Sequence, residues 1–219
     1  VTVLGQGGGV AVARGDSQTQ LFEVSPGAQL TLSKLKLVEG KAPQGGAILS
    51  RGSLTLDTCE FVRNTATDGG AVWAEAGNVT ISGVKFFDNS AITSGGAIFT
   101  LDAELVIDDG ALFDGNQAGK GGAVHCEGLD GSSEDSLLTA PCTLRDAVFL
   151  RNKASGNQWG ELYGGGAVTF ENAAVNISNC VFINNSAQVA GGALYGGSAT
   201  SLSINDCIFE SNSAIGIGG

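Results

Sequence analysis

Residues 69–91 read GGAVWAEAGNVTISGVKFFDNSA, and the fold can be argued outward from this stretch. Val79 and Ile81 stand two apart, as do Val84 and Phe86, with polar or small residues between them. A period of two places alternate side chains on opposite faces, which is the pattern of a strand. No window in the stretch carries the three-to-four spacing of a helix. A Gly-Gly pair opens the unit, where the chain can turn through backbone angles other residues resist, and Phe86-x-x-Asn89 closes it.

The unit repeats. Gly-Gly-Ala-aliphatic recurs at Gly45–Ile48, Gly69–Val72, Gly95–Ile98, Gly121–Val124, Gly165–Val168 and Gly191–Leu194. The copies lie 24 to 26 residues apart, apart from one longer interval between Gly121 and Gly165. Each is followed by Phe-x-x-Asn, giving a file Phe61, Phe86, Phe113, Phe149, Phe182, Phe209 and a file Asn64, Asn89, Asn116, Asn152, Asn185, Asn212. Three short strands per repeat, without helices between them, stack in parallel on the equivalent strands of the next repeat. The expectation is an all-β, right-handed, single-stranded parallel β-helix with three strands per turn and about seven to eight turns. The phenylalanines should fill its interior. The asparagines should tolerate left-handed backbone at a corner and bond main-chain groups and one another. Residues 1–219 read as one segment of a longer solenoid, with insertions at 127–140 and 155–164, and the lack of an initiator Met or leader fits a mature or excised piece.

The paired motif resembles the repeat of the polymorphic outer-membrane protein family, autotransporter passengers displayed on cell surfaces. The likeness covers residues 45–219 well and 7–44 loosely. It implies surface display and adhesion. No membrane barrel of the kind such proteins carry at their C-terminus is expected within residues 1–219, a departure from the resemblance that bears on the route of secretion.

Function in a solenoid is sought on outward files and insertions. The residue after each Gly-Gly-Ala-aliphatic should point out, giving Leu49, Trp73, Phe99, His125, Thr169 and Tyr195, a file rich in scarce aromatics and a candidate contact surface with Trp159 and Tyr163 of the second insertion. Val148, Leu150, Val181, Ile183 and Ile208 should form a second exposed patch, covered by an insertion or a partner. Thr31, Thr55, Thr80 and Thr143 form part of a third file, whose mixed flanks give ice binding little support.

Cys126 and Cys142 bracket the first insertion, and a disulfide there would stabilise by ~3 kcal/mol on the chain-entropy model. Cys180 and Cys207 share a column in adjacent turns and are compatible with a bond or with two core thiols; Cys59 should be a free buried thiol. Sequons stand at Asn78, Asn176 and Asn184, the last beside the corner asparagine and expected to be less accessible. These features favour an extracellular or cell-surface setting.

The formal charge of −11, with scattered basic residues, disfavours nucleic acid and anionic lipid as partners. No apolar run is long enough to span a bilayer. Other protein chains, copies of the same chain and glycans remain as partners. No cofactor is expected beyond weak surface binding of Ca²⁺. Many β-helices cleave acidic polysaccharides, but carboxylates such as Asp88, Asp108, Asp109 and Asp114 show no catalytic clustering. His125, the only histidine, has no metal-binding companion nearby in sequence and reads as a surface residue. The expectation is a non-catalytic structural or adhesive segment, with a β-helix lyase or hydrolase as the alternative.

Overall fold

The computed structural model describes residues 1–5, 11–129, 140–156, 164–197 and 201–216. Every strand pairing among them is parallel and joins equivalent positions of successive repeats. The Gly-Gly-Ala strands, among them Val72–Glu75, Ile98–Leu101, Val124–Glu127 and Val168–Glu171, stack into a first sheet of seven strands. The second strands of the repeat, such as Asn78–Ser82 and Glu104–Asp108, form a second sheet of eight. The Phe strands, from Lys85–Phe87 to Ile208–Glu210, belong to a third sheet of eight. Beyond the three expected strands, the residues after each Asn pair into a fourth, narrow sheet that includes Thr65–Asp68, Ser90–Ser94 and Gln117–Ala118.

Alternation sets what is inside. Val79 and Ile81, Leu105 and Ile107, and Leu144 are buried, and one continuous core runs through the turns. The Phe file is fully interior from Phe61 to Phe182, with adjacent rings from Phe61 to Phe209 stacked at centroid distances of 4.7 to 4.9 Å. That separation is the strand spacing itself, so register alone aligns the rings.

Two backbone devices turn the corners. Gly69 has φ 61°, and a Cβ there would overlap the Val72 carbonyl, so only glycine makes this bend without strain. At the corner before the fourth sheet the left-handed residue is not the ladder asparagine but its predecessor: Arg63, Asp88, Gly115, Arg151, Asn184 and Ser211 have φ between 51° and 69°. This corrects the expected role of the asparagines. With the predecessor swinging the chain around, the Asn side chain is turned inward, where it reaches main chain.

There it forms the ladder. The Nδ2 of Asn89 donates to the Phe61 carbonyl at 3.1 Å and to Oδ1 of Asn116 at 3.0 Å. The same arrangement holds for Asn64, Asn116, Asn152 and Asn185. Gly40, standing in the Asn place of the first turn, donates its N–H to Asn64 Oδ1. Polar groups buried at a bend are thus all paired within the stack.

Candidate functional site

The outward file of the first sheet is not an open surface. Trp73 is 4% exposed and His125 1%, while Leu49, Phe99 and Thr169 are also buried; Tyr195 is half-buried. The glycine corner is the reason. A Cβ added at Gly69 would come within 3.0 Å of the Trp73 Cα, and one at Gly121 within 3.2 Å of the His125 Cβ, so the glycine corner of these repeats sits close over the outward residue of its own strand. Gly165 donates its N–H to the Thr169 hydroxyl at 2.8 Å. Leu49, Trp73 and Phe99 form a small second core there, with Arg51 over the Trp73 ring at 5.9 Å. The expected contact file is therefore a packing layer. Trp159 and Tyr163 lie outside the described residues.

His125 is accordingly no surface residue. Phe99 meets its ring edge-on at 5.3 Å, and neither Nδ1 nor Nε2 has a hydrogen-bond partner among the described residues. Burial, aided by the nearby Lys120 ammonium, pulls its pKa down to about 3, so the imidazole is neutral. Its companions come from strand register. Glu127 lies two residues on along the same strand and Glu171 pairs directly with Glu127 across the sheet. One ligand atom from each of the three residues lies within 4.8 Å of the others. Lys120 Nζ stands 3.2 Å from Glu171 Oε1.

The third sheet supplies the open apolar face. Leu112, Val148 and Val181 are half-buried and Ile208 is 56% exposed, one above the other in register. Leu150 and Ile183 flank them, half-buried. On the second sheet Thr55, Thr80, Asn176 and Ser203 are exposed along one file. The sequon residues Asn78 and Asn176 are exposed, and so is Asn184, contrary to expectation. Asn184 occupies the left-handed corner position, which turns its side chain outward while Asn185 points in.

Surface carboxylates are paired lengthwise with cations of neighbouring turns. Arg63 and Arg14 both bond Glu39 at 2.9 Å, Arg145 bonds Asp108 at 2.9 Å, and Arg151 bonds Asp114 at 2.5 Å. The Ser33 hydroxyl, with Thr58, holds the Asp57 carboxyl below its ordinary pKa. A concavity of about 570 Å³ beside the fourth sheet is lined by Lys41, Thr65, Ser90 and Ile92, with no carboxylate in its wall.

Cys126 and Cys142 are disulfide-bonded, joining the strands on either side of the first insertion. Cys180 and Cys207 are separate thiols; the Cys180 N–H donates to the Cys207 sulfur at 3.4 Å. Cys59 is free and buried, as expected.

A family model described as a right handed beta helix region matches residues 22–218. The chain belongs to this right-handed β-helix family. No curated protein and no solved structure matches it. Membership in the β-helix family fixes the handedness of the coil and is shared by enzymes and non-enzymes, so the function rests on the site residues themselves.

Proposed function

We propose that this β-helix is a non-catalytic structural and adhesive segment of an extracellular surface protein or filament. The observation that carries the reading is the lengthwise neutralisation of charge. Asp108 and Asp114, two of the carboxylates that acid–base chemistry could have drawn on, are bonded to arginines of adjacent turns, as is Glu39. The contact face is the apolar file of the third sheet, Leu112 to Ile208, with protein chains, copies of this chain or glycans as its partners. The Cys126–Cys142 bond fits an oxidising compartment.

A second reading, a polysaccharide hydrolase or lyase, draws on the Glu127–Glu171 pair, which is close enough for two-carboxylate chemistry. Against it, the pair is half-buried and Lys120 is bound to one member. The test is direct. The chain, coated on beads, is assayed for retention on cell surfaces and glycan arrays and for self-association, and is incubated with neutral and acidic polysaccharides while reducing ends and unsaturated products are followed. We expect retention that Val148→Asp with Val181→Asp abolishes, and no product. Product formation lost in Glu171→Gln would establish the enzyme instead.

A further inference from the structure

We propose that His125, Glu127 and Glu171 form a divalent-metal site of the zinc class, clamping two adjacent turns of the helix where the insertions leave it.

The geometry is built by the sheet. His125 and Glu127 are two apart on Val124–Glu127 and so project from the same face, while Glu171 is the register partner of Glu127 on Val168–Glu171. One imidazole nitrogen and one oxygen from each carboxylate fall within 4.8 Å of one another, the span that three ligands of one ion require. All three belong to the outer face, beside the packed Phe99 ring.

The second observation is the histidine. It is 1% exposed, and both ring nitrogens lack a hydrogen-bond partner among the described residues. A buried polar group without a partner costs on the order of 1–3 kcal/mol, and the outward residues at this position in the other Gly-Gly-Ala repeats, Leu49, Trp73, Phe99, Thr169 and Tyr195, are apolar, aromatic or hydroxyl-bearing. Packing alone would be served better by another Phe. A metal ion gives the imidazole lone pair a use at the point where two carboxylates converge.

The donor set selects the ion. Calcium takes six to eight oxygen ligands and magnesium an octahedron of oxygens, and neither favours a buried imidazole. One nitrogen with two carboxylates suits Zn²⁺, with Co²⁺ and Ni²⁺ as substitutes, leaving a fourth position for water or a partner side chain. Lys120, 3.2 Å from Glu171, must swing aside on metal entry, so the ammonium and the ion compete for one carboxylate. The position matters for the fold. Gly121 to Gly165 is the one long interval between glycine pairs, and Cys126, between the two ligands of its strand, carries the disulfide. Metal and disulfide would together hold both ends of the irregular stretch.

Because His125 is the only histidine, its ring C–H signals in a proton NMR spectrum are assignable without mutation. The full chain, stripped with chelator, is titrated with ZnCl2 and separately with CaCl2. We expect one Zn²⁺ per chain, a shift of both ring signals that Ca²⁺ does not produce, and a rise in melting temperature. His125→Leu should keep its fold in chelator and lose the zinc-dependent rise, and Glu171→Gln should weaken binding by roughly tenfold or more. Absorption of the Co²⁺ form should change between wild type and Glu171→Gln. Ring signals that ignore Zn²⁺, or equal zinc affinity in wild type and Glu171→Gln, would overturn the proposal; the latter holds even if His125→Leu fails to fold.

Discussion

Asn89 directs both its main-chain N–H and its side-chain amide to a single atom, Oδ1 of Asn116, each at 3.0 Å. Asn116 in turn gives its amide to the Phe86 carbonyl at 3.1 Å. One interior residue therefore satisfies two donors and an acceptor of its neighbours, in a place without access to water.

Replacing Asn116 by Ala leaves those groups unpaired. Each buried orphan costs about 1–3 kcal/mol, so a loss of about 3 kcal/mol or more is expected from urea unfolding. Asn212, only half-buried in the last described turn, should cost clearly less, since water replaces part of what Ala removes. Equal losses at the two sites would show that the ladder contributes no more than local packing.

Glycines at left-handed positions should separate into two classes. Gly69, with φ 61°, is pressed against the Val72 carbonyl, whereas Gly27 and Gly110, with φ 74° and 75°, have nothing within 4 Å of an added Cβ. Gly27→Ala and Gly110→Ala then bear only backbone strain, about 1 kcal/mol. Gly69→Ala must also move backbone shared with the next turn, and should cost at least about 3 kcal/mol or prevent folding. Comparison of denaturation midpoints decides the matter.

The three thiols should differ in reactivity. Burial raises the Cys59 thiol above its ordinary pKa and pushes Cys180 up to about 11, while Cys207 is partly exposed. Alkylation of the native chain at mildly alkaline pH should label Cys207 alone, and all three in guanidinium; mass spectrometry counts them. The sign for stability follows. Between the ordinary thiol value of 9.0 and about 11, the unfolded chain has released a proton that folded Cys180 retains. Stability is therefore whole below pH 9.0 and falls as pH rises through about 11, by about 3 kcal/mol, and Cys180→Ala should remove that part of the slope.

Much of this was legible in the sequence because a solenoid writes its geometry as a repeat. The Phe and Asn files, the strand alternation and the buried Cys59 follow from one residue recurring per turn. The burial of Trp73, Phe99 and His125 was not legible, since alternation says which side of a strand a residue faces but not that the glycine corner folds back over that side. Nor was the meeting of His125 with Glu171. They lie in adjacent turns but across the interval lengthened by an insertion, so no constant spacing joins them, and register alone brings them together. The left-handed residue before each ladder Asn was hidden for a different reason. Arg, Asp, Gly, Asn and Ser share that position, and no residue type marks it.

The disulfide offers the remaining test of how the irregular stretch is held. Cys126 and Cys142 are separated by 16 residues and sit on strands of different sheets, Val124–Glu127 and Ala140–Arg145. Both sulfurs are buried, so the bond also fills core volume. Cross-linking a loop of this length restricts the unfolded chain and is expected to stabilise by ~3 kcal/mol. Reduction, or Cys126→Ala with Cys142→Ala, should lower the denaturation midpoint accordingly. The turns before it, from Leu54 to Phe86, pair only with their own neighbours, and in a quasi-one-dimensional stack they should keep their amide-exchange protection. Protection lost evenly along the whole chain would mean instead that the β-helix unfolds as a single unit.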